Sequence, residues 1–132
     1  MAARCNSIEE AYEFMLAYAA QGLASDQGTN SGAQVRQFLT GLDTALDGLG
    51  DVFRGVVAAD SLAHAELYHG FIEVLDRDAA SARAAVRLVL AQPGISSQMV
   101  DNLNASIHLR AMLTDVFLVD EVLKTQVLAA KA

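Results

Sequence analysis

The sequence predicts an all-α fold, an up-down four-helix bundle in which residues 1–132 form one domain. Three observations predict it. Apolar residues recur at spacings of three and four along most of the chain, and no stretch shows the strict alternation of a half-buried strand. Turn-forming residues collect at only a few points, with a single proline in the whole chain. Hydrophobic residues make up 53% and charged residues 19%, which is too apolar for a disordered chain. A chain of 132 residues buries about two thirds of the surface its unfolded form exposes, so the core needs no covalent staple. Cys5, the only cysteine, could not supply one within the chain.

The first helix opens on Ser7-Ile8-Glu9-Glu10, a capping box in which the Ser7 hydroxyl accepts from the Glu10 amide and the Glu10 carboxylate reaches back. Ile8, Ala11, Tyr12, Met15, Leu16, Ala19 and Leu23 follow on one helical face. Residues 25–32 are small, polar and turn-prone, and end it. Ser31-Gly32-Ala33-Gln34 is a second capping box and opens a long second helix. Its seam of Val35, Phe38, Leu42, Ala45, Leu49, Val52 and Val56 runs for about three heptads. Leu39, Leu46 and Phe53 widen that seam into a core face. Gly48 and Gly50 each cost about 1 kcal/mol inside a helix, and either kink it or admit a close neighbour. The regular seam predicts that the helix continues through them.

Asp60 or Ser61 caps the third helix. Ala63, His64, Leu67, Tyr68, Phe71, Val74 and Leu75 gather on its apolar side, and Glu66, His69, Glu73 and Asp76 on its polar side. A break is expected at Arg77-Asp78, where Asp78 can cap a fresh turn before the alanine-rich residues 79–90. Gln92-Pro93-Gly94 stops the helix. Ser96 or Ser97 caps the fourth, with Asp101 well placed near its N-terminus. With no breaker before Ala129, that helix would reach about 50 Å.

Nine Lys and Arg stand against sixteen Asp and Glu, a net charge of −7. Such a chain repels phosphate backbones, and Arg77, Arg83, Arg87 and Arg110 are dispersed among acids, so nucleic-acid binding is not expected. The most apolar stretch, 109–123, holds Arg110, Asp115, Asp120 and Glu121, too many charges for a membrane span. The first residues lack the apolar core of a signal peptide. The expected location is cytoplasmic.

Four sets of residues could carry chemistry. Glu66-Leu67-Tyr68-His69 is a Glu-x-x-His, whose spacing points an oxygen and an imidazole ligand the same way. It resembles half of a ferritin-like motif. That resemblance implies an iron or zinc site completed across a dimer, with Glu10 or Glu13 as the extra carboxylate. The plainer reading is a solvated face with His69 and Glu73 paired four residues apart. On the last helix, Asp101, Asn104, His108 and Asp115 form a polar ridge, spread over too much helix axis for one ion to touch both aspartates. His64 falls beside Tyr68 and Phe71, as a satisfied core histidine or the polar group of a small ligand pocket. Cys5 lies before the first helix with no basic cluster to activate it. Phosphate-binding glycine loops, HExxH, CxxC and GxSxG are all absent from the sequence. Residues 71–83 resemble the helix–RD–helix element of the ligand-sensing domains of GntR-type regulators. The aspartate and three histidines that bind metal in those domains are not matched, nor is a winged helix, and no family follows.

The last helix is apolar on two sides. Leu109, Met112, Val116, Val119 and Leu123 should fill the bundle core, while Val100, Ile107, Leu118 and Val122 form a second patch. A second patch of that kind predicts an interface, most simply a two-fold homodimer or a higher even-numbered oligomer. The function expected is therefore non-enzymatic: homo-oligomerisation and binding of a protein partner or ligand, with no cofactor. The alternative is the ferritin-like metal protein.

Overall fold

The computed structural model describes residues 1–131. They form six helices, α1 (Ala2–Ala20), α2 (Asn30–Leu46), α3 (Leu49–Ala59), α4 (Ala65–Leu90), α5 (Ser97–Ala105) and α6 (Ile107–Lys131), with no strand among the described residues. The all-α expectation holds. The four-helix count does not, because two of the expected helices are each broken in two.

The first break falls at Asp47-Gly48. Asp47 is extended, and Gly48 takes φ +69, a left-handed conformation that only glycine adopts at little cost. α3 then turns to pack on α4. Gly50, within α3, admits a neighbour: a Cβ there would lie 1.9 Å from Asp76 Oδ1. Arg54, one turn on, donates to Asp76 Oδ2 at 2.6 Å. The second break is at Ser106, which leaves α5 with ψ 132 and accepts the His108 amide on its hydroxyl at 3.2 Å.

The expected break at Arg77-Asp78 is absent, and α4 runs straight through it. Ile72, Leu75, Ala79, Ala82 and Val86 are all buried in one unbroken three-four stripe, so a fresh start at Asp78 would take half of it out of register. Helix starts also differ from expectation. α1 begins at Ala2, so Ser7 lies inside it and donates to the Ala3 carbonyl at 3.0 Å. Thr29, not Ser31, caps α2 by accepting from the Gly32 amide at 2.9 Å. Neither Asp60 nor Ser61 caps α4; the residue before it is His64. Ser96 caps α5 as expected, accepting from Met99 N–H at 3.0 Å.

α1 packs on α2 and α5, and α4 packs on α6, α3 and α2. The expected core face of α6 is buried throughout: Leu109, Met112, Val116, Val119 and Leu123. Each such side chain contributes about 1.5–3 kcal/mol by burial. Polar contacts then fix the ends. Tyr18 donates its phenol to the Ile95 carbonyl at 2.6 Å. Ser97 donates its hydroxyl to the Tyr18 carbonyl at 2.7 Å and accepts from the Leu23 amide at 2.8 Å. Two of the dispersed arginines are used internally: Arg83 and Arg87 of α4 both reach Asp43 of α2, at 2.8 and 3.1 Å. No helix among the described residues is long and apolar enough to cross a membrane.

Candidate functional site

Between the start of α4 and the second half of α6 lies a groove of about 350 Å³. Leu67, Tyr68 and Phe71 form its α4 wall, and Leu118, Val122 and Gln126 its α6 wall. The floor is Ile72 and Val119, both core residues. None of the ten residues lining the groove is an acid, a lysine or an arginine. The rim projects: Leu67 is 67% exposed and Leu118 51%. Two apolar faces on one helix produce this shape. α6 spends Val116, Val119 and Leu123 on the core and is left with Leu118 and Val122 outside it.

The turn leading into α4 is strained. Ser61 and His64 take φ 48 and φ 61, the only non-glycine residues with positive φ among those described. Each costs about 1–2 kcal/mol against a right-handed conformation. This turn sets His64 at the groove mouth, exposed and just ahead of the helix, rather than buried on its apolar face as expected.

The groove joins residues selected from the sequence for different reasons. His64, Tyr68 and Phe71 were the candidate ligand pocket, and Leu118 and Val122 belonged to the candidate oligomer contact; all five line it. The rest of that contact is corrected. Val100 is fully buried within the chain, so its apolar surface is already covered. Ile107 is 75% exposed but lies about 16 Å along α6 from Leu118. Its neighbour Ser106 lines a separate shallow hollow with Leu88 and Met99.

The metal candidates are not brought together within the chain. Glu66 and His69 are exposed on α4, and Glu10 and Glu13 are exposed on α1, which packs on α2 and α5. No group of three or more His, Cys, Asp or Glu able to hold a metal ion occurs among the described residues. The expected ridge is also split, because the break at Ser106 puts Asp101 and Asn104 on α5 and His108 and Asp115 on α6. Asn104 is buried and donates to the Met15 carbonyl at 3.2 Å, while His108 is exposed. Cys5 lies inside α1, not before it, and is buried. Burial and then the neighbouring Asp120 carboxylate push its thiol up to about 11, which makes it unreactive.

One arrangement escaped the sequence reading. Asp115 of α6, only 8% exposed, faces Asp78 of α4. Burial first, then the hydrogen bond and the like charge from Asp78, push the Asp115 carboxyl up to about 7. Asp115 Oδ2 is buried and has no hydrogen-bond partner. Asp115 precedes Leu118 by three residues, and Asp78 follows Phe71 by seven, so the pair continues the line of the groove. A signal was present: Leu67, Phe71, Val74 and Asp78 keep heptad spacing, so that an acid follows three apolar residues on one line of the helix.

No family model matches the chain, and no curated protein or solved structure shows significant similarity to it.

Proposed function

We propose that the protein is a cytoplasmic, non-enzymatic binding protein, and that the α4–α6 groove receives a second copy of the chain. One observation carries this reading: an apolar groove with no charged lining residue, whose rim leucines project into solvent, on a chain of net charge −7. Two copies with that charge repel each other over most of their surface. They can meet closely only where neither presents charge, and this groove is such a place.

The shape favours self-association as well. Residues near the start of α4 meet residues in the later part of α6, while Asp78 meets Asp115 farther along α4 and earlier on α6, so the two helices run antiparallel. The same patch offers projecting side chains, Leu67 and Leu118, and a hollow between them. A two-fold axis lets each copy's ridge enter the other's hollow, the isologous contact that most homodimers use. Burying Leu67, Leu118 and Val122 in this way removes the largest apolar surface next to the groove from water.

Measuring the solution mass of the wild type and of Leu118→Lys tests the reading. A dimeric wild type and a monomeric, folded Leu118→Lys support it. A monomeric wild type at micromolar concentration overturns it.

A further inference from the structure

We propose that the second copy lies lengthwise along the α4–α6 face and antiparallel to the first, about a two-fold axis that crosses α4 between Arg77 and Asp78. The far end of the partner's α4 then enters the groove. This inference rests on the docking reading above and names the part of the partner that docks.

The groove alone is too small for the contact. Ten residues line it, whereas a stable interface takes about 800 Å² and about 20–30 residues from each copy. More surface without a partner lies on the same side of α4. The core stripe of that helix is Ile72, Leu75, Ala79, Ala82 and Val86, and a second line runs beside it, about 100° round the helix. The line starts at Leu67, Phe71 and Val74, passes Asp78 and Ser81, and ends at Ala85 and Leu88, with no buried residue. Its two ends are equally bare, Leu67 at 67% and Leu88 at 66%. Ile107, which opens α6, is 75% exposed, and its neighbour Ser106 shares a hollow with Leu88. From Leu67 to Leu88 the face is about 32 Å long, and with α6 beside α4 it is about 20 Å wide. That is on the order of 600 Å² in projection and more over its ridges, which approaches the area a dimer needs.

The line also fits its own reverse. Turned about the point between Arg77 and Asp78, Leu67 comes level with the partner's Leu88, Phe71 with its Ala84, and Val74 with its Ser81. The large ring of Phe71 is thus level with a small side chain, and the bare leucines at the two ends cover each other. Ile107, too far from the groove of its own copy, is carried by the same turn towards the Val122 end of the partner's groove.

Charge agrees with this register. Arg77 and Asp78 change places across the axis, so each arginine stands level with the partner's aspartate. On α6, Arg110 lies towards one end and Glu121 towards the other, and the reversal brings each towards its opposite. Arg77, Arg110 and Glu121 are exposed, and none joins an ion pair among the described residues. Their charges are free to meet a partner.

The experiment is sedimentation equilibrium of the full chain at neutral pH on wild type, Leu88→Lys, Leu118→Lys and Leu16→Lys, with circular dichroism to confirm folding. Leu16 is 47% exposed on α1, away from the face. Each lysine offsets one unit of the net charge of −7, which by itself favours association. Wild type is expected to dimerise, Leu88→Lys and Leu118→Lys to weaken the dimer about tenfold or more, and Leu16→Lys to leave it unchanged. The register is read by mild oxidation of mixed Leu67→Cys and Leu88→Cys chains, since Cys5 is buried. A disulfide between positions 67 and 88 as the main product supports the antiparallel register, and one between two copies of position 67 overturns it. A dimer that Leu118→Lys breaks and Leu88→Lys leaves intact confines the contact to the groove. That result overturns this inference and leaves the docking reading standing. Equal weakening by Leu16→Lys overturns it too, and a monomeric wild type removes the docking reading with it.

Discussion

Asp26 and Arg36 form an ion pair at 2.8 Å through which one end of the molecule is fastened. The second Asp26 oxygen accepts the Ile95 amide at 2.7 Å. The two terminal nitrogens of Arg36 donate to the Leu90 and Gln92 carbonyls, at 3.0 and 2.8 Å. One carboxylate and one guanidinium thus join the α1–α2 loop, α2, the end of α4 and the segment before α5. They also satisfy carbonyls that the end of α4 would otherwise leave unpaired.

Asp26→Ala is expected to cost about 3 kcal/mol, because it strands both a guanidinium and a buried amide. The effect should depend on pH. The hydrogen bond from Arg36, then that from the Ile95 amide, hold the Asp26 carboxyl below its usual value. A depressed acid stabilises the fold above its unfolded value near 3.8, and that contribution is lost as pH falls through the lowered folded value. Urea titrations at neutral and strongly acidic pH check this. The variant and wild type should differ at pH 7 and converge in acid.

Asp115→Asn is expected to act with the opposite sign. A raised carboxyl contributes its full stability below the unfolded value, 3.8, and loses it as pH rises to about 7. Above that the penalty is constant. The asparagine variant should therefore melt several degrees above wild type at pH 8 and close to it at pH 4, by about 1 kcal/mol or more at the higher pH. A variant that melts lower than wild type at pH 8 would contradict the carboxyl pair.

Two glycines of α2 should respond in opposite directions to the same substitution. A Cβ on Gly32 would lie 1.7 Å from the Asp26 carbonyl oxygen, which is backbone and cannot give way. Gly41, in the exposed middle of the helix, meets nothing within 4 Å. Gly41→Ala should raise stability by about 0.5–1 kcal/mol, and Gly32→Ala should lower it by more than that. Thermal melts of the two variants read the sign directly.

Tyr18→Phe removes a single buried donor, the phenol that bonds the Ile95 carbonyl. The expected cost is about 1–2 kcal/mol, with the ring packing retained. Chemical denaturation should show a lower midpoint at unchanged slope.

Much of this architecture was legible from periodicity, and the misses share a physical cause. The buried faces of α4 and α6 are continuous three-four stripes, and Leu109, Met112 and Val116 are core as read. Spacing reports which residues are buried together, not whether the helix beneath them is one piece. The seam from Val35 to Val56 is thus shared by two helices that turn at Gly48, and one acid, Asp78, looks like a cap in the sequence although the stripe carries the helix through it. The groove was half visible: each wall could be read on its own helix, but only the antiparallel pairing of α4 and α6 puts Phe71 opposite Leu118. The carboxyl pair was hidden for the same reason, since 37 residues separate its members.

The solution mass of the chain tests most directly whether the α4–α6 groove receives a second copy. A dimer is expected for wild type at neutral pH and a folded monomer for Leu118→Lys. A wild type that stays monomeric at micromolar concentration, or a dimer that a lysine at position 118 leaves intact, would contradict it.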